Sequence, residues 1–255
     1  MQLERKVSFD LPILMYHYIE DSKGQASPYA ISLSQWTQQL DYLKRHNYQT
    51  LSFAELYKLL DSGARPPRKS VILTFDDGSM CFHEFVLPAL AARGMKATAF
   101  LVAGEIGGIN RWDAEKGGPR RILMGETEIG ELVNQGIELG AHGWSHRRLT
   151  ACGPADLTLE VEQSRQELER RFGQPITTFS YPYGEWRREH LSVLARAGYQ
   201  GAVSVFAEYP FVTSNRYAMR RIPIHSGDNV LRFALKMSRL YLRYVAHRDR
   251  QGIRE

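Results

Sequence analysis

Short runs of apolar, often β-branched residues alternate along this chain with longer segments whose apolar positions recur at helical spacing. The first pattern fits buried strands and the second amphipathic helices. Strands are predicted at 12–17, 70–75, 97–102, 137–141, 177–181, 200–205 and 220–225. Helices are predicted between them at 34–46, 53–60, 81–93, 126–135, 154–172 and 187–197. Ser34 reads as a start signal for the first helix, and Gly94, Gly136 and Gly198 as stop signals for three others.

Strand and helix alternate without an internal repeat, which predicts one α/β domain on a parallel or mostly parallel sheet closed into a barrel. The 255 residues suffice for one such domain spanning 1–255. Barrels of this kind carry their chemistry where strands end, at the C-terminal face of the sheet. The polar residues can be tested against that rule.

The run Val71-Ile72-Leu73-Thr74-Phe75-Asp76-Asp77-Gly78 is a buried strand ending in two adjacent carboxylates. Burying both ionised is costly unless a cation or hydrogen-bond donors compensate. A turn that caps the next helix is the alternative. The segment His142-Gly143-Trp144-Ser145-His146 follows the strand at 137–141. Two imidazoles four positions apart on one helical turn can share a divalent metal, and with a carboxylate they form a three-ligand shell open to water. Ser180-Tyr181-Pro182-Tyr183-Gly184 is a tight turn after another strand, able to aim a backbone N–H as an oxyanion donor or simply to pack its aromatics. In Arg220-Arg221-Ile222-Pro223-Ile224-His225, period-two alternation puts Arg221, Pro223 and His225 on one face. His225 is a candidate general acid there, since an imidazole titrates near working pH.

Together, Thr74-Phe75-Asp76-Asp77-Gly78, His142-x-x-x-His146, Tyr181-Pro182-Tyr183-Gly184 and Ile222-Pro223-Ile224-His225 resemble the polysaccharide deacetylase family, the NodB-homology enzymes of carbohydrate esterase family 4. Ile13-Leu14-Met15-Tyr16-His17 and Asn110-Arg111-Trp112-Asp113 add to the likeness, which runs from Pro12 to His225. The resemblance implies a distorted (β/α) barrel and one divalent metal, Zn2+ for preference, held by Asp77, His142 and His146. It implies Asp76 as general base, His225 as acid and the Tyr183 N–H as oxyanion donor, acting on an acetylated amino-sugar glycan. Where the family has an Arg at the start of its third motif, this chain has Ser180. Arg221 is expected to supply the missing charge. The roles of His17, Asn110 and Asp113 stay open. A same-fold hydrolase of a non-sugar amide or formyl group, and a glycan-binding pseudoenzyme, are the alternatives.

Composition refines this reading without changing it. Hydrophobic residues at 43% and charged residues at 24% exclude a disordered chain. A net charge of +5 suits an anionic substrate or membrane surface and identifies neither, and nothing points to nucleic acid. Cys81 and Cys152 fit no metal knuckle and are expected as free thiols. The N-terminal residues lack a signal-peptide pattern, and no apolar run approaches the ~20 residues of a membrane span. A cytoplasmic protein is expected, with peripheral contact at the inner membrane face as a further expectation. That contact would come from a basic amphipathic helix at 228–247, carrying Arg232, Lys236, Arg239 and Arg243. Trp112, Trp144 and Trp186 lie in or beside the implicated loops as candidate sugar platforms, and 104–125 is expected to form a mobile wall of the groove.

Overall fold

The computed structural model describes residues 11–21, 27–206, 215–238, 240, 241, 244 and 245. Its strands are β1 (Ile13–Tyr16), β2 (Tyr18–Glu20), β3 (Ala30–Ser32), β4 (Gln49–Thr50), β5 (Ser70–Phe75), β6 (Thr98–Leu101), β7 (Glu138–Ala141), β8 (Thr178–Ser180), β9 (Gly201–Ser204), β10 (Met219–Arg220) and β11 (Ile222–Pro223). The main sheet is parallel, in the order β10-β9-β8-β7-β6-β5-β1-β11, with β4 added at the start of β5 and β2–β3 forming a separate pair. Strands β1, β5, β6 and β9 are buried along their whole length, as expected for parallel strands covered on both faces.

The sheet curls into a nearly closed barrel because one short segment serves both of its edges. Met219 and Arg220 pair with Val203 and Ser204 of β9. Ile222 and Pro223 pair with Leu14 and Met15 of β1. The partner changes at Arg221, whose N–H donates to the Ser204 carbonyl at 2.8 Å. The strand expected at 220–225 is therefore two half-strands with the arginine at their junction.

Alternation along the strands separates two cores. Ile13, Ile72, Phe100, Val203 and Met219 point into the barrel and meet Phe53, Leu56 and Tyr57. Leu14, Leu73, Ala99 and Ala202 point outward, where the surrounding helices cover them. Two helices are used below, α1 (Leu33–Arg45) and α2 (Phe53–Asp61). Helix α2 stops the N-terminal mouth of the barrel. The Phe53 and Ala54 N–H groups donate to the Glu138 carboxylate at 2.8 and 2.9 Å, and the Tyr57 hydroxyl meets Thr178 Oγ1 at 2.8 Å. Glu138 and Thr178 begin β7 and β8, so the plug sits opposite the strand ends that carry the polar motifs. Each fully buried aromatic or aliphatic side chain of the plug contributes about 1.5–3 kcal/mol.

Several local expectations need correction. The first helix is capped by Ser32 rather than Ser34, because Ser32 and Gln35 satisfy each other's backbone N–H groups in a capping box. The helix at 154–172 is interrupted by a π-helical stretch, Thr158–Gln163. The segment 104–125 is a packed element, with bridges Ser79–Leu123 and Ile109–Ile122 and a short helix, Arg111–Ala114. Asn110 closes it, accepting from the Arg121 N–H at 2.7 Å and donating to the Pro119 carbonyl at 2.9 Å. Both cysteines are free.

At the C-terminus a helix spans Val230–Lys236, and Leu240, Tyr241, Tyr244 and Val245 are also helical. Arg239, Leu242, Arg243 and the residues from 246 onward lie outside the described residues. Lys236 does not join a solvent-facing stripe. It is buried, with Nζ 2.5 Å from Asp228 Oδ2 and 2.7 Å from the Pro223 carbonyl. Phe233 packs edge-on against Tyr42 of α1. Among the described residues no helix is long and apolar enough to cross a membrane.

Candidate active site

Strand β5 ends in Asp76 and Asp77, and the chain then turns through two left-handed residues, Asp77 (φ 74) and Gly78 (φ 73). This turn sends the neighbouring carboxylates to different partners at the C-terminal mouth. Asp76 (3% exposed) faces Arg221 (1% exposed) in a two-pronged pair, Nη1 to Oδ1 and Nη2 to Oδ2 both at 2.6 Å. Nη2 also donates to Ser180 Oγ at 2.8 Å, and Nη1 to Thr74 Oγ1 at 3.2 Å. The charge that the third motif lacks at Ser180 thus reaches Asp76 from the barrel-closing segment, with Ser180 as its polar support. Burial works to raise the Asp76 carboxyl, but the Arg221 charge and its hydrogen bonds outweigh it and hold it well below the usual carboxylate range.

Asp77 has no such cation. Burial pushes its carboxyl up to about 7, with the neighbouring Asp76 and Asp113 adding to the rise against a hydrogen bond from Tyr18. Its Oδ1 atom is buried without a hydrogen-bond partner among the described residues. Facing that atom are His146 Nε2 at 3.5 Å and His142 Nε2 at 3.7 Å. His142 Nδ1 meets the Ser180 carbonyl at 2.8 Å, so that nitrogen carries the proton and the Nε2 lone pair points to the carboxylates. Burial lowers both imidazoles, which keeps them neutral donors. Ligand atoms bound at ~2.1 Å around a tetrahedral zinc stand about 3.4 Å apart. The Asp77, His142 and His146 donor atoms all lie within 4.8 Å of one another, and the orphaned Oδ1 is the acceptor that a cation would satisfy. The set fits one divalent metal.

The two histidines are not on a helical turn as the spacing suggests. Residues 142–146 form a loop, with Gly143 at φ 85 and His146 at φ 60. Glu160 holds that loop. Its carboxylate, wholly buried, accepts from the Trp144 N–H at 2.8 Å, the Ser145 N–H at 3.1 Å and the Ser145 hydroxyl. Sequence reasoning passed over Glu160, although it falls on the same helical face as Leu157, Val161, Ser164 and Leu168. A glutamate on an apolar stripe is the signal that could have found it. Tyr18, whose hydroxyl donates to Asp77 Oδ2, was also missed.

The three tryptophans differ in burial and partners. Trp112 is buried and lies flat on His146, ring centroids 4.3 Å apart at 18°. Trp186 is half-buried against Tyr181 and donates to the Phe206 carbonyl. Trp144, also half-buried, packs its indole so closely on Gly104 that a Cβ there would stand 2.5 Å from Nε1. Tyr183 adopts φ 60, and its ring meets His146 edge-on at 4.7 Å. The Arg148 guanidinium covers that ring at 4.0 Å, and Lys116 Nζ lies 5.6 Å from its centre.

His17, at the end of β1, stands beside these groups and feels Asp76, Arg221, His142 and His225, while burial lowers it to about 4. Its ring meets Tyr29 at 4.5 Å, and Tyr29 meets His225 at 5.3 Å. The backbone N–H of His225 donates to Asp228 Oδ2 at 2.7 Å. Both histidines therefore line the same side of the mouth, His17 in electrostatic contact with the Asp76–Arg221 pair. Asp113 contributes to the field at Asp77 and Tyr18.

Known proteins share this fold and part of this sequence. The chain is 28% identical over 217 residues to YxkH of Bacillus subtilis (strain 168), a candidate polysaccharide deacetylase, covering 85% of this chain and 72% of that protein. It is 25% identical over 216 residues to a poly-β-1,6-N-acetyl-D-glucosamine N-deacetylase of Staphylococcus aureus, covering 81% of this chain and 72% of that protein. Its fold superimposes on the Streptococcus pyogenes deacetylase PplD, solved with acetate, at a TM-score of 0.78 and 25% identity, over 91% of this chain and all of that one. The family profile for polysaccharide deacetylase matches residues 63–202, a span that runs from before the Asp76–Asp77 strand to β9 and includes His142 and His146. With that span more than half of the chain, and with both of its leading motifs converging on one buried site, the chain belongs to the polysaccharide deacetylase family.

Proposed function

We propose that this protein is a metal-dependent hydrolase that removes N-acetyl groups from the amino sugars of a glycan, with zinc as its metal. The observation that carries the reading is the buried set Asp77, His142 and His146 around an unsatisfied carboxylate oxygen, beside an Asp76 kept ionised by Arg221. The Staphylococcus aureus relative, an N-deacetylase of poly-β-1,6-N-acetyl-D-glucosamine by name, supports the substrate class.

A divalent ion held by these three residues would polarise the acetyl carbonyl and acidify a bound water. The remaining tasks fall to the chain. Asp76, charged at any working pH, accepts the proton of the attacking water, and its pairing with Arg221 fixes the direction in which it can do so. The Tyr183 N–H, set by the left-handed turn, stabilises the developing oxyanion. A histidine of the His17–His225 pair returns a proton to the leaving amine. The motif assigns that part to His225. His17, which burial lowers to about 4, is neutral at working pH and is the poorer donor.

Acetate release from acetylated amino-sugar oligomers, measured after chelation and zinc add-back, tests the function. Release that needs the metal and is lost in Asp76→Asn supports it. Metal binding without release from any sugar oligomer would move the reading to a non-sugar amide or formyl substrate. A protein that takes up no metal would be a glycan-binding pseudoenzyme.

A further inference from the structure

We propose that Tyr18 is a positioning residue that reserves one oxygen of Asp77, so that the carboxylate offers a single ligand atom, Oδ1, to the two histidines. The inference rests on the metal-site reading above and goes beyond it in assigning how Asp77 is presented.

The two oxygens of Asp77 have opposite surroundings. Oδ2 accepts a hydrogen bond from the Tyr18 hydroxyl. Oδ1 is buried without a hydrogen-bond partner among the described residues and faces both imidazole Nε2 atoms. An ionised carboxylate presented whole can take a cation with both oxygens. A phenol O–H on one of them competes with that mode and leaves the other free, the usual task of a hydrogen bond to a metal-binding group.

The phenol is well placed to do this. Tyr18 is 4% exposed and belongs to the β2–β3 pair outside the barrel, so its ring reaches the site from a separate element. The Arg121 guanidinium lies over the ring, 3.8 Å from its centre, and is anchored by Glu20 at 2.6 Å. Arg121 is in turn held by Asn110, which closes the packed segment 104–125. Ring position is thus set by the anchored Arg121 as well as by the hydroxyl. Tyr18 touches neither Asp76 nor the histidines through any described hydrogen bond, so its action on the chemistry passes through Asp77.

The consequence is a count of coordination positions. A carboxylate bound through one oxygen leaves room for both the attacking water and the acetyl oxygen, and one bound through two takes up a position that one of them needs. The test is infrared difference spectroscopy on adding Zn2+ to metal-free protein carrying 13C-labelled aspartate carboxyls. In the wild type, the separation of the two Asp77 carboxylate stretches should widen beyond that of the free ion, the signature of one-oxygen binding. In Tyr18→Phe the separation should narrow towards two-oxygen binding, with kcat falling at least tenfold and KM moving less than threefold. Replacing Tyr18 with 4-aminophenylalanine, which restores an N–H donor on the same ring, should return the wild-type spectrum. A two-oxygen signature in the wild type, or an unchanged spectrum in Tyr18→Phe, overturns the inference. Wild-type protein that binds no zinc overturns the metal-site reading itself, a separate outcome. A two-oxygen signature in the wild type overturns the inference even if Tyr18→Phe does not fold.

Discussion

Arg221 and Asp76 meet as a two-pronged ion pair across 145 positions of sequence, wholly inside the barrel, with both contacts at 2.6 Å. The pair does two things at once, since it neutralises a buried carboxylate and sets which lone pairs of that carboxylate face the metal ligands. Taking away one partner of such a pair strands the other, which typically costs about 3–5 kcal/mol. Arg221→Met should therefore lower the melting temperature markedly and abolish most turnover, whereas Arg221→Lys should keep part of the stability and lose the two-pronged geometry. Unchanged turnover in Arg221→Met would remove Arg221 from the site.

The same pair predicts a pH signature. A carboxylate depressed on folding contributes stability above its unfolded value of ~3.9 and loses it as pH falls through the folded value. Asp76 lies well below that range, so its contribution should be full above about pH 4 and drain away as the pH falls from there towards the folded value. In Arg221→Met, burial would act on Asp76 unopposed and raise it. The acid limb of the pH–rate profile should move upward in that variant, which a profile at saturating zinc would show.

Glu160 should prove as important to the metal site as a ligand. Glu160→Ala leaves the Trp144 and Ser145 N–H groups buried without their acceptor, at about 1–3 kcal/mol each. We expect a lower melting temperature and weaker zinc binding, with Glu160→Gln milder in both. Gly143→Ala should resemble Glu160→Ala, because its Cβ would lie 2.6 Å from Glu160 Oε2 and the residue would have to hold φ 85. Competition against a chromophoric chelator measures the zinc affinity of each.

Trp112 offers a choice between two roles. Stacked on His146 and buried, it should behave as a core residue, and Trp112→Ala should cost about 3–5 kcal/mol and weaken zinc binding. A sugar platform would instead raise KM and leave the melting temperature alone. Thermal melts set beside KM values separate the two.

The proton donor can be assigned by comparing His17→Ala with His225→Ala. His225→Ala should lower kcat by 100-fold or more, in the range of lost acid–base catalysis, and His17→Ala should lower it less. A good leaving group, in an activated acetyl ester, should rescue whichever variant lacks the acid. Rescue of His17→Ala alone would move the role to His17.

Most of the scaffold is legible in the chain because parallel strands buried on both faces are short apolar runs, and Ser70–Phe75 is found at its predicted bounds. The barrel follows from the alternation of strands and helices, and the Asp77, His142 and His146 cluster from strand-end motifs read through the family resemblance. What sequence could not show is what depends on direction. Arg221 was expected on a strand face, but its place at a partner switch between β9 and β1 comes from pairing geometry. The His142–His146 spacing suggests a helical turn, while Glu160 and two positive-φ residues make it a loop. Tyr18 lies next to a recognised motif, yet only folding through β2 brings it to Asp77.

Closure of the barrel by Met219–Pro223 has a temporal consequence. During synthesis Asp76 and Asp77 leave the ribosome long before the arginine that neutralises Asp76, and closing so long a loop is entropically slow. Until the last stave docks, the two acids are a repelling pair without a counter-charge. The proposed centre is therefore incomplete in any form of the chain in which Met219–Pro223 has not docked.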